Sequence, residues 1–149
     1  MKRRHALSAL AALVAAPVGA QGALPKVEVW KDANCGCCKD WIAHLQQQGF
    51  LVEAHDTGNA AMRRKLGIPQ ALGSCHTAQV GGYAIEGHVP AREIKRLLKE
   101  KPEAVGLSVP GMPVGSPGMD GPVYGGRKDP YEVLLVRKDG STRVFQSYS

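Results

Sequence analysis

Four cysteines carry the chemistry that this sequence can offer. Cys35, Cys37 and Cys38 fall within Asn34-Cys-Gly-Cys-Cys-Lys-Asp-Trp41, and Cys75 follows forty residues after Cys35. Cys35 and Cys38 stand as C-x-x-C, the spacing of thioredoxin-like redox motifs. Cys37 complicates that reading. Its bonds to Cys35 or Cys38 would close small, strained rings, and a third thiol competes for any C-x-x-C disulfide. A redox enzyme gains little from that ambiguity, whereas a metal site gains a ligand. Covalent haem attachment needs His after the second cysteine, and Lys39 stands there. Structural zinc uses two separated ligand pairs. Iron–sulfur clusters fit the count of four but not their common spacings. Cu(I) fits best, because soft thiolates suit it without strict geometry and can bridge several ions.

Further soft or imidazole donors are spread along the chain. His76 follows Cys75 directly. Pro-Gly-Met occurs twice in Pro110-Gly-Met-Pro-Val-Gly-Ser-Pro-Gly-Met119, so Met112 and Met119 offer thioethers. A buried free cysteine, an ordinary histidine and two turn methionines would account for these residues equally simply. His44 shares a helix face with Cys37 but sits two turns away, about 10 Å, which favours a packing or surface role. His88, just before Val89-Pro90, reads as a turn or capping residue, with a supporting place behind the metal as the alternative. Glu53 and His55 fall on a strand and need no special account.

Several elements must position these groups. Lys26–Trp30 reads as a strand, and residues 37–48 as a helix with Trp41, Ile42 and Leu45 on its apolar stripe and Gly49 as its stop. Phe50–Ala54 reads as a strand and Gly58–Leu66 as a helix. Ser74–Val80 and Tyr83–Glu86 form a hairpin across Gly81-Gly82. Pro90–Lys101 reads as a helix whose Lys/Arg run is a solvated face. The order βαβαββα predicts an α/β, thioredoxin-like fold. The cysteine motif lies where the first strand meets the first helix. A helix N-terminus favours thiolate there. Cys75 falls in the loop that faces C-x-x-C in such folds, where a cis-proline is usual. Residues Gly106–Gly126 read as a long loop rich in Gly, Pro and Met. Tyr131–Val136 and Thr142–Tyr148, joined through Asp139-Gly140, read as a C-terminal hairpin.

Residues 1–20 read as a signal peptide: a basic start, an apolar run over Ala6–Ala16, and Val18-Gly19-Ala20 before a cut at Gln21. Arg3-Arg4 permits a twin-arginine route beside the general secretory one. Residues 21–149 are then one exported domain with no further membrane span, in a periplasm. Removing Lys2, Arg3 and Arg4 from the 19 basic residues leaves 16 against 13 acidic ones. That mild balance, with no basic stripe interleaved with aromatics, excludes nucleic acid as the natural partner. Aromatics make up only 5% of the chain, so the core should be aliphatic.

Taken together, Asn34–Trp41, Leu66-Gly-Ile-Pro69, Ser74-Cys-His-Thr77, Glu86-Gly-His-Val-Pro90 and Val109–Met119 resemble the CopG-type copper-resistance proteins, across about Pro25 to Tyr148. The resemblance implies a periplasmic thioredoxin-like fold with copper held by Cys35, Cys37, Cys38 and Cys75 in a multinuclear, cysteine-bridged cluster. It also implies a redox role in copper handling and, as partners, copper ions and other periplasmic copper-handling proteins. His76, Met112, Met119 and His88 are candidate auxiliary groups. Three readings follow: a Cu(I)-binding protein of copper homeostasis, a copper or thiol–disulfide oxidoreductase using Cys35 and Cys38, and an exported domain stapled by two disulfides.

Overall fold

The computed structural model describes residues 22–149, so the expected signal segment lies outside the described residues. Val27–Lys31 forms β1, with Val27, Val29 and Lys31 buried on one face. Helix α1, Gly36–Gln47, follows. Its residues Cys38, Trp41 and Leu45 fall on one stripe at helical spacing and are fully buried. Phe50, expected to open the next strand, instead donates its N–H to the Leu45 carbonyl at 3.1 Å and plugs the helix end. Strand β2 therefore runs Val52–His55, parallel to β1. Helix α2 is short, Ala60–Lys65. Strand β3, His76–Val80, lies antiparallel to β1, and β4, Tyr83–Glu86, returns beside it. Helix α3 spans Ala91–Glu100 after Pro90 and buries Ile94 and Leu97.

The βαβαββα order and the thioredoxin-like α/β fold are as expected. The loop over Gly106–Gly126 is not wholly a loop. Its first three residues, Gly106–Ser108, form β5, parallel to β4 and antiparallel to β6. Three residues opening on glycine are too few for a periodic signal. Strands β6, Tyr131–Val136, and β7, Thr142–Tyr148, make the terminal hairpin, with an irregularity at Val133/Leu134. One sheet results, in the order β2-β1-β3-β4-β5-β6-β7.

Valines and leucines dominate the core, among them Val27, Val29, Leu107, Val133 and Leu135, with Trp41, Phe50 and Phe145 as the large aromatic members. The basic run of α3 is more than a solvated face. The Arg96 guanidinium stacks 3.9 Å from the centre of the Phe145 ring and donates to the Phe145 carbonyl at 3.1 Å, and the Tyr148 hydroxyl donates to buried Glu93 at 2.6 Å. The helix thereby fastens the hairpin to the rest of the sheet. Among the described residues no helix is long and apolar enough to cross a membrane.

Candidate metal centre

Three cysteines come from the start of α1. Cys35 is the N-cap residue, and its side chain makes no capping bond, which leaves the sulfur free for other chemistry. The turn before it is closed by the Cys35 N–H on the Asp32 carbonyl at 3.1 Å and the Asn34 N–H on Asp32 Oδ1 at 2.8 Å. A disulfide joins Cys35 to Cys38, while Cys37 and Cys75 are free thiols. Cys37 Sγ lies 3.6 Å from Cys35 Sγ and 3.8 Å from Cys75 Sγ, and Cys38 Sγ is 3.5 Å from Cys75 Sγ. All four sulfurs lie within 4.8 Å of one another. The fold thus brings the fourth cysteine to the first three, as its loop position predicts. No cis peptide occurs among the described residues.

Strand β3 begins only at His76, so Ser74 and Cys75 lie off its end. Burial pushes the Cys75 thiol up to about 12, with Cys37 beside it adding to the rise. A metal-free protein therefore keeps this sulfur protonated. A soft cation at the cluster would supply the charge that burial withholds, since a coordinating thiol loses its proton to the metal.

Two histidines close the site on the side of β4. His76 Nδ1 stands 3.4 Å from Cys75 Sγ, and His88 Nε2 stands 3.1 Å from the same sulfur. His88, expected as a turn or capping residue, is instead fully buried against the site. Gly87 accounts for the difference. At φ +71° it turns the chain inward, and a Cβ there would meet the Val109 carbonyl oxygen at 2.5 Å. Strand register could have located His88: Thr77 pairs with Glu86 and the Gly87 N–H bonds the His76 carbonyl, so His88 must fall beside Cys75 and His76. His88 Nδ1 lies 2.8 Å from the Pro117 carbonyl, which can only accept. Nδ1 therefore carries the proton, and Nε2 turns a lone pair toward Cys75.

His76 is fully buried, and burial lowers its pKa to about 3, with His88 nearby lowering it further. Burial also lowers the pKa of His88. Both rings are thus neutral donors. Nδ1 of His76 is the nitrogen that faces Cys75, while its Nε2, on the other side of the ring, is buried without a hydrogen-bond partner. Trp41 packs over His76 at a ring separation of 4.3 Å and donates its N–H to the Val89 carbonyl at 2.9 Å.

The methionines are held differently from one another. Met119 is buried, and its thioether accepts from the Tyr124 hydroxyl at 3.3 Å. Met112 is 52% exposed at the mouth of an open pocket that it shares with Ser74 and Cys75. The loop between them packs tightly on the site: a Cβ on Gly118 would lie 2.6 Å from the Cys37 carbonyl oxygen and 3.2 Å from His88 Nδ1. His44 stays outside the cluster and accepts the Ala91 N–H at 3.1 Å, which caps α3.

A solved structure named copper resistance protein CopG, form 1, shares 46% identity, with 84% of this chain and 98% of that one covered and a TM-score of 0.77. The chain belongs to the CopG family of copper-resistance proteins. A second CopG structure, form 2, gives 45% identity, coverage of 85% and 99%, and a TM-score of 0.78. The family model described as a protein of unknown function, DUF411, matches residues 72–119. That span runs from the Cys75 loop through His88 to Met119. No curated protein matches. The CopG match and the cysteine cluster together support copper binding.

Proposed function

We propose that this CopG-family chain is a periplasmic copper-binding protein of copper tolerance, exported by its N-terminal signal. It holds Cu(I), several ions per chain, on the thiolates of Cys35, Cys37, Cys38 and Cys75 once the Cys35–Cys38 bond is reduced. His76 and His88 supply neutral nitrogen at the edge of the sulfur set. One observation carries the reading: two strips of chain, from α1 and from the start of β3, place four sulfurs within 4.8 Å. Such a soft, crowded set suits Cu(I) and favours bridging. Anaerobic Cu(I) titration of reduced protein should give more than one copper per chain. X-ray absorption at the copper edge should show sulfur ligation and a short metal–metal distance. Unchanged copper content in both Cys37→Ser and Cys75→Ser would refute the reading.

The Cys35–Cys38 disulfide favours a second reading, an oxidoreductase. Cys35 is partly exposed and Cys38 fully buried, the arrangement of an attacking and a resolving thiol. The reduced pair would give two electrons and two protons to a disulfide substrate and return to the disulfide. Metal-free protein should then reduce such a substrate, and Cys75→Ser should retain that activity. The doubly stapled domain would need a Cys37–Cys75 bond as well, and both of those thiols are free.

A further inference from the structure

Ser74 immediately precedes Cys75, and side chains from other elements hold both of its backbone polar groups. Its N–H donates to Glu86 Oε1 at 2.7 Å. Its carbonyl accepts from Arg63 Nη2 at 2.5 Å and from Asn59 Nδ2 at 3.1 Å. Glu86, on β4, is fully buried, and Arg63, on α2, is 6% exposed. Arg63 Nε donates to Glu86 Oε1 at 2.8 Å, and the Thr77 hydroxyl donates to Oε2 at 2.6 Å. The Thr77 oxygen in turn accepts from Asn59 at 3.2 Å.

This is a closed polar network behind the sulfur site. A buried ion pair is a weak source of stability, because apolar side chains of the same volume often serve the fold as well. Fixing a peptide at both ends is something apolar residues cannot do. The loop also lacks the cis-proline that usually shapes it in thioredoxin-like folds. The Ser74 hydroxyl extends the grip by donating to the Gly111 carbonyl at 2.5 Å, beside Met112.

We propose that Glu86, with Arg63 and Asn59, is a positioning clamp that sets the Cys75 sulfur against Cys37 and Cys38, and through it the copper affinity of the cluster. The second half rests on the copper-binding reading; the first does not. Glu86→Gln and Asn59→Ala separate the two. In metal-free protein with Cys35–Cys38 oxidised, diamide converts the Cys37 and Cys75 thiols to a disulfide and takes up their two electrons and two protons. Loss of free thiol follows the reaction. Displacing one sulfur should slow it roughly ten- to a hundredfold in both variants, as misplaced reactive atoms generally do. In fully reduced protein, competition against a chromophoric Cu(I) chelator should show affinity lower by roughly 10–100-fold, the range for groups that orient metal ligands.

A lower thermal midpoint with thiol pairing at the wild-type rate would overturn the clamp. Slowed pairing with wild-type copper affinity would overturn its second half. Slowed pairing in a protein that binds no Cu(I) even as wild type would leave the clamp standing and remove the copper reading instead. Should Glu86→Gln not fold, Asn59→Ala, which removes donors from a half-buried side chain, decides by the same two measurements.

Discussion

Cys35, Cys37 and Cys38 ride on the first turn of a helix whose own backbone holds them. Cys75 sits off the end of its strand and is held by side chains from α2 and β4. The first strip gathers its sulfurs within four residues, through a turn and a helix start that would form in many contexts. The second depends on groups 11 and 12 residues away in sequence that are buried and charged. A cluster that spans both is only as well formed as its distant half. Damage to the two halves should therefore differ in size.

Removing Arg63 strikes the distant half hardest. Arg63→Met leaves the Glu86 carboxylate buried without its cation, and breaking one partner out of a buried pair costs roughly 3–5 kcal/mol. A lower urea midpoint together with a large loss of bound copper is the expected result. Gly118→Ala comes next. At φ +88°, with a Cβ directed at the Cys37 carbonyl, the variant should carry strain of roughly 1–3 kcal/mol. The loop should lift, so the proton shared by His88 and Pro117 should lose its distinct NMR signal. Asp32→Ala tests the local half. It removes the acceptor of the Asn34 N–H, a loss of about 1 kcal/mol or less. Copper content should hold, and a loss matching that of Arg63→Met would end the contrast.

The test with no expected effect on the metal site lies away from both halves. Burial, helped by the charges of Glu93 and Asp120, raises the Tyr131 hydroxyl from 10.0 to about 12. A group raised on folding lends stability that is complete below its unfolded value and lost as pH climbs through the folded one. The thermal midpoint should therefore fall between pH 10 and 12. Tyr131→Phe should flatten that arm without changing copper content.

The local half is also the half that could be read from the sequence. Spacing alone marks the cysteine motif, Gly49 stops the helix, Pro90 opens α3, and Asp139-Gly140 turns the last hairpin; each signal lies within a few residues of what it controls. The placement of Cys75 followed from element order, because a βαβαββα chain leaves few positions for that loop. Strand β5 escaped because three residues carry no period. Arg63 and Glu86 escaped for a different reason. Each looks like an ordinary surface charge, and only the packing of α2 on the sheet removes both from water. His88 was legible in principle but needed the strand register, in addition to the Gly87–Pro90 pattern, to show that it turns inward.

Strand β5 matters in a further way. A βαβαββα chain alone would end its sheet at β4, with a row of unpaired N–H and C=O groups on the strand that carries Glu86 and leads to His88. β5 and the hairpin beyond it pair that row and move the free edges out to β2 and β7. Exposed edges invite pairing with other chains, and polar side chains discourage it. β2 carries Glu53, ion-paired to Lys26, and β7 carries exposed Arg143. The strands that lead to Cys75, His76 and His88 are thus interior to the sheet, shielded from intermolecular pairing, and charged side chains stand on its two free borders.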